Sequence, residues 1–432
     1  MRELYTKYFL YALISSTILN LACEKEADTK HPIVTFYSPY ENQIFTIFDT
    51  IPIEAKITDD KVITSVRIKV VDSSFNPVLP SVYHYPETNE YNLKMGFPID
   101  DYYLESGIYY VMIRAEDGAN FKNKYQKIFI ESIPRSLEKI IVLTEKDGNT
   151  IEVYGIDNSS NISSLFNING DFVASEITSR YKQLYVAGAN QININTYSLK
   201  TYQLEWSLEV EPPLPIHVLN CLYYDQYLYS SYSYLYIYGY DRFGSKKFNT
   251  QISEAGIPSR LFLFKDLLLV DVQSNTGGNT YVYTFYKGTG SQKQRLLSTF
   301  KVVEFFAYDN NNVIIVANEA GQGVLKLYNP YENVLTSINS ISDKINCSVK
   351  INENEYLIGT ENGIVLYNYN QSSLINILPG KIAQRLQYND LSNEIYIECE
   401  NQIEKRKYPV MALENTFTFS DTILNIHLQY NK

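Results

Sequence analysis

Seven times between residues 140 and 397 a short apolar triplet returns at a nearly constant step. It reads "IIV" at 140–142, "LYV" at 184–186, "LYS" at 228–230 and "LLV" at 268–270, then "IIV" at 314–316, "YLI" at 356–358 and "IYI" at 395–397, with spacings of 44, 44, 40, 46, 42 and 39. Downstream of each triplet a second apolar run ends on an aromatic. These are Tyr154, Tyr197, Tyr238, Phe285, Tyr328, Tyr367 and Tyr408, spaced by 43, 41, 47, 43, 39 and 41. Two independent markers keep the same step, so the second half of the chain is a repeat. One repeat of this length cannot bury its own apolar faces and must stack on its neighbours.

Short strands recurring with a period of roughly 40–45 residues indicate β-propeller blades. Seven blades are read, with six or eight the alternatives if one loop is assigned differently. Each triplet but the first follows another strand: "ASEIT" at 174, "VLNCLYY" at 218, "SRLFLF" at 259, "EFFAY" at 304, "INCSVKI" at 345 and "AQRLQY" at 383. The strand missing before the first triplet has a counterpart in "TILNIHLQYNK", residues 422–432, which has no triplet after it. The C-terminus is therefore expected to supply the innermost strand of the first blade and close the ring, which removes exposed sheet edges. With Trp206 the one tryptophan, neither WD dipeptides nor quinoprotein tryptophan-docking repeats are available, and the double glycine of kelch repeats occurs once, at Gly277–Gly278. What remains resembles, in architecture, the divergent propellers of bacterial surface lipoproteins.

Early residues of the innermost strands approach the channel of a propeller, and they supply the candidate ligand-binding set: Glu176, Asn220, Arg260, Glu304, Asn346, Arg385 and Asn425. Two acids, two arginines and three amides suit a sugar, a peptide or an anion held by fixed hydrogen bonds; a solvated polar channel lining is the alternative. Catalytic groupings are missing. The four histidines (His31, His84, His217, His427) are dispersed, and His427 aligns with the apolar slot of Leu222. No G-x-S-x-G, H-E-x-x-H or phosphate-binding glycine loop occurs, so neither a catalytic residue, a metal nor a cofactor is expected.

The stretch "YYDQYLYSSYSYLYIYGYD", residues 223–241, holds nine tyrosines. Tyr229 lies in a triplet and Tyr238 at the repeated aromatic position, so both are framework. The other copies do not require an aromatic at the positions of Tyr236 and Tyr240, and Tyr232 and Tyr234 flank a turn. Those four form a candidate aromatic surface, with AT-rich codon usage the competing explanation of the excess.

Residues 32–133 read as alternating strands, among them "IPIEAKIT", "SVRIKVVD", "IYYVMIRAED" and "YQKIFIES". Such spacing predicts a β-sandwich of about 100 residues. The stretch from Gly107 through Tyr109, Val111, Ala115, Asp117 and Asn120 resembles the closing strands of bacterial immunoglobulin-like domains, although Gly118 and Ala119 are in swapped order. Asp59, Asp60 and Asp117 are assigned to turn chemistry, with calcium ligation the alternative. The fold class is accordingly all-β: an immunoglobulin-like sandwich at 32–133, then a seven-bladed propeller over 134–432.

The N-terminus is an address. Arg2 and Lys7 precede the apolar run "YFLYALISSTIL", and "NLAC" follows with small Ala22 before Cys23, the pattern of a secretory signal over residues 1–22. Ending on a cysteine, it resembles a Bacteroidota-type lipoprotein signal, which implies lipid on Cys23, although Asn20 stands where leucine is usual. Residues 23–31 form an acidic tether whose "CEKEADTK" is similar to the signal for export to the outer face of the outer membrane. Cys221, Cys347 and Cys399 are widely spaced and expected as buried free thiols. A net charge of −11 argues against nucleic acid as a partner.

Three readings of function follow. The first is a lipid-anchored, surface-exposed recognition or scaffold protein whose propeller binds a glycan, peptide or protein. The others are a surface glycan hydrolase or lyase using the propeller channel, and a structural subunit of an outer-membrane complex.

Overall fold

The protein is described by a computed structural model covering residues 28–208, 217–253, 256–274 and 279–432. The expected signal, Cys23, most of the tether and the Gly277–Gly278 pair lie outside the described residues. Every regular element among those residues is a strand. The chain divides after Pro134 into two units.

The first unit has two sheets around one core. Three strands, Ile33–Ser38, Thr50–Ile63 and Thr88–Pro98, form one sheet; five form the other, in the order Gln43–Thr46, Phe121–Glu131, Gly107–Glu116, Ser65–Val71 and Val82–His84. Strict alternation along Thr50–Ile63 turns Ile51, Ile53, Ala55 and Ile57 inward, against Val66, Ile68, Val111, Ile113, Ile128 and Ile130 of the other sheet. Burying one face per strand is what the period-two pattern requires. Of the aspartates named above only Asp117 lies in a turn; Asp59 and Asp60 belong to the strand Thr50–Ile63. Asp117 accepts the Ala119 and Asn120 backbone N–H groups, each at 2.6 Å, and Asp59 accepts that of Lys61, while Asp60 pairs with Lys30.

The second unit consists of seven four-stranded antiparallel sheets. Six use consecutive strands, within 174–208, 218–251, 257–298, 300–341, 345–379 and 385–418; they are called here the second to seventh sheets. The first sheet joins Leu137–Glu145, Thr150–Ile156 and Ile162–Asn169 to the C-terminal strand Thr422–Tyr430, which pairs with Leu137–Glu145 in the register Asn425↔Leu143 and His427↔Ile141. The other innermost strands are Ala174–Thr178, Val218–Tyr224, Ile257–Phe264, Phe300–Ala307, Ile345–Lys350 and Arg385–Asn389. Each lies against the next, and Thr422–Tyr430 lies against both Arg385–Asn389 and Ala174–Thr178, so the cycle is closed.

All seven triplets fall in the second strand from the centre. These strands carry neighbouring sheets on both faces, so alternation gives way to unbroken burial, as along Gln183–Ala187 and Val313–Ala317. Outermost strands such as Leu204–Leu208 and Gln292–Ser298 are largely exposed. The repeated aromatics sit on the third strands: Phe285, Tyr328 and Tyr367 are fully buried, and Tyr408 stands one residue beyond Gln402–Lys407.

Candidate functional site: a central polar cavity

The innermost strands are irregular where they face the centre. Five shift register at a one-residue bulge, just before Asn220, Arg260, Glu304, Cys347 and Asn425. A bulge re-aims side chains and frees a carbonyl from the ladder. Here the freed carbonyls are taken by the preceding sheet. Asn220 Nδ2 donates to the Ser259 carbonyl at 2.6 Å, and Arg260 Nε donates to that of Val303 at 2.8 Å. Asn425 Nδ2 closes the same pattern on Ser175, donating to its Oγ at 3.0 Å and its carbonyl at 3.3 Å. Asn220 and Asn425 also accept the next residue's backbone N–H through Oδ1. These three channel residues therefore hold sheet to sheet.

All seven residues singled out from the sequence line one cavity of about 740 Å³. Asn346 sits on the bulge itself, where Cys347 occupies the position matching Asn220. Sequence reasoning missed other parts of the wall: Ser175, Ser348, Gln384 and Gln387. It also missed Glu398, a fully buried carboxylate that accepts from Arg385 Nη1 at 2.6 Å. A signal for it exists. The residues opposite Asn425, Asn220 and Glu304 are Leu143, Ser231 and Val316, whereas acids stand opposite the two arginines: Asp271 opposite Arg260 and Glu398 opposite Arg385. Asp271 is fully buried, accepts from Ser259 Oγ at 2.5 Å, and is pushed up to about 6 by burial.

The electrostatics of the wall are uneven. Burial raises Glu304, and Arg260 beside it opposes the rise. Burial likewise raises Glu398, opposed by the Arg385 charge and hydrogen bond. Glu176 is pushed up to about 8, first by burial and then by the Glu304 charge. His427 is buried, within 2.8 Å of Ser175 Oγ, and held neutral at about 3 by burial and by Arg385. It occupies the expected apolar slot but also borders the cavity. Among the described residues no group of three or more His, Cys, Asp or Glu converges as a metal site requires. Cys221 is buried and Cys347 and Cys399 half-buried, all free thiols.

The aromatic surface requires correction. Tyr232 and Tyr240 are 2% and 5% exposed and form part of the core between the second and third sheets, with Tyr185, Ile194 and Leu228. They are buried because their strands face a neighbouring sheet, which the repeat pattern within one sheet does not reveal. Tyr236 is half-buried and stacks on Tyr238 at 5.7 Å, leaving Tyr234 exposed in its turn. The tyrosines of that stretch which border an open groove are Tyr227 and Tyr229. With Phe248, Lys247, Lys265 and Lys287 they line a cleft of about 520 Å³.

No family model matches the sequence, and no curated protein is similar to it. Solved structures are. A protein from Lactobacillus plantarum is 12% identical over 68% of this chain and 99% of its own, with a TM-score of 0.54. A quinonprotein alcohol dehydrogenase-like protein from Bacteroides thetaiotaomicron is 11% identical over 92% of this chain and 99% of its own, with a TM-score of 0.48. The first is a likeness of fold alone. Together with the closed cycle of four-stranded sheets, it makes the second unit a β-propeller scaffold around a polar cavity.

Proposed function

We propose that this chain is a lipid-anchored recognition protein of the cell envelope, in which a seven-bladed propeller binds a glycan or peptide in its central cavity. The observation that carries the reading is convergence. Seven polar residues, one from each innermost strand and spread over residues 176–425, line a single cavity. Such a concave, pre-formed site with a few fixed polar groups suits a small polar ligand. Seven four-stranded sheets in a closed cycle support the blade count. An immunoglobulin-like first unit is supported by its two-sheet order and by Tyr109, whose hydroxyl donates to the Glu105 carbonyl at 2.8 Å at the start of Gly107–Glu116. The lipid on Cys23 and the outer-membrane location rest on the sequence pattern "NLAC".

The test is a glycan and peptide array probed with the full-length protein, followed by titration of Asn346→Ala. The Asn346 side chain lines the cavity without clasping a neighbouring sheet, so its loss weakens ligand binding and leaves the fold in place. An array with no hits, or an affinity unmoved by the substitution, removes the cavity as the site. Labelled palmitate incorporated into the wild-type chain and lost in Cys23→Ala tests the anchor.

A further inference from the structure

Resting on that reading of the cavity, we infer that its ligand carries a primary ammonium group and that Glu176 receives it. The charges along the wall are unevenly paired. Arg385 is paired with Glu398 at 2.6 Å, and the Arg260 charge acts on Glu304, partly offsetting its burial. Among the described residues no cation acts on Glu176, whose carboxyl is held by the Tyr223 backbone alone. Its neighbours are Tyr185, opposite it on Gln183–Ala187; Cys221 and Tyr223 on Val218–Tyr224; Asn425 and His427 on Thr422–Tyr430; and Glu304 across the cavity. None is positively charged near neutral pH. Burial pushes the Cys221 thiol up to about 12 and raises Tyr185 and Tyr223, while His427 stays neutral. A carboxyl so placed either keeps its proton or receives a cation from outside.

The form of the cation follows from what surrounds it. A bare divalent ion takes about six or more oxygen ligands at short range, usually with several carboxylates among them, and no group of three or more His, Cys, Asp or Glu converges among the described residues. A quaternary ammonium is recognised by an aromatic cage, whereas the aromatic rings on this wall are Phe172 and Tyr430. A primary ammonium donates hydrogen bonds, which the Glu176 carboxyl accepts. The rest of the ligand meets further polar groups in the 740 Å³ space, among them the Asn346 amide and the Arg385 N–H groups left by Glu398. Binding exchanges a proton for the ammonium: the O–H bond of Glu176 breaks, the proton passes to solvent, and the ligand's charge replaces it.

The probes are Nα-acetyl-lysine amide and its Nε-acetylated counterpart, titrated calorimetrically into the full-length protein. The first is expected to bind at least about tenfold more tightly, with affinity rising about tenfold per pH unit up to about pH 8 as the carboxyl gives up its proton. Heats in two buffers of different ionisation enthalpy should show close to one proton released per ligand at pH 6.5. Glu176→Gln should abolish both the preference and the proton release. Equal binding of the two probes, or a preference retained in a folded Glu176→Gln variant, overturns the inference. If that variant does not fold, the wild-type proton count decides, and binding without release overturns it. If neither probe binds while a neutral saccharide does so in an Asn346-dependent way, the ammonium is wrong and the cavity reading stands. If nothing binds, both fall.

Discussion

The hydroxyls of Tyr232 and Tyr240 meet 2.9 Å apart in the core between two sheets, and each is the other's hydrogen-bond partner. They belong to a stretch so rich in tyrosine that it invites reading as a sticky surface. Instead, burial has placed two polar groups where water cannot serve them, and a tyrosine pair satisfies both. Burial, with the neighbouring hydroxyl, raises Tyr232 far above the ordinary phenol range, and burial raises Tyr240 to about 12 although its bond to Tyr232 opposes the rise, so both remain neutral donors or acceptors at any physiological pH.

Replacing both tyrosines by phenylalanine should therefore cost less than the sum of the two single replacements. Tyr232→Phe leaves the Tyr240 oxygen buried without a partner, and the reverse holds for Tyr240→Phe; each should lose about 1–2 kcal/mol. The double variant removes both polar groups and should fall short of the sum by about 1 kcal/mol. Urea unfolding of the four proteins measures the coupling, and strict additivity shows that the hydroxyls do not interact.

Arg385 carries a second such dependency, this time on charge. Its guanidinium is partly open to the cavity, but Glu398 behind it is fully buried and retains one oxygen without a hydrogen-bond partner. Arg385→Ala strands that carboxylate and is expected to destabilise the protein by about 2–3 kcal/mol at pH 7. Adding Glu398→Gln should recover much of the loss in melting temperature. A melting curve for the double variant no better than for Arg385→Ala contradicts this account.

What the sequence made legible follows from where each residue gets its neighbours. The triplets stand out because a strand covered on both faces is apolar throughout, as at Val313–Ala317, and the pattern needs no knowledge of the partner. Channel positions stand out for the opposite reason: Arg260 and Glu304 are charged residues followed directly by apolar runs, "LFLF" and "FFA". The clasps formed by Asn220, Arg260 and Asn425 were not legible, because their acceptors belong to another sheet, two of them bulge carbonyls. Tyr232 and Tyr240 failed in the same way, being permitted by their own sheet but buried by the next. Glu398 was visible in principle, as an acid where other copies place Leu143, Ser231 and Val316.

One lysine contributes to the closure of the ring. Lys182 is 6% exposed, donates to Glu138 at 2.6 Å and also to the Tyr430 carbonyl, while Ser179 Oγ accepts the Tyr430 backbone N–H at 2.9 Å. The second sheet thereby holds the last strand of the chain in the first. Lys182→Met keeps the stem and removes the charge, so it should lower stability by about 1–3 kcal/mol. Amide exchange should accelerate first along Thr422–Tyr430, because an unheld edge strand opens before the rest. Uniform acceleration across all sheets indicates that Lys182 does not hold the closure in particular.

The unpaired Glu176 makes a prediction for the ligand-free protein as well. Its carboxyl is raised from 4.5 to about 8 in the folded chain, so the folded state binds a proton over a range in which the unfolded chain has lost it. Stability from this group is complete below about pH 4.5 and declines as pH rises through about 8, by an amount on the order of a few kcal/mol. Paired carboxylates such as Glu394 and Glu404, lowered mainly through their lysine and arginine partners against the effect of burial, act in the opposite sense and at lower pH. Over pH 6–8 the wild-type midpoint in urea is therefore expected to fall, and Glu176→Gln, neutral throughout, should flatten that slope. A variant that follows the wild-type curve through pH 8 shows that Glu176 ionises freely, with its charge satisfied from within the protein.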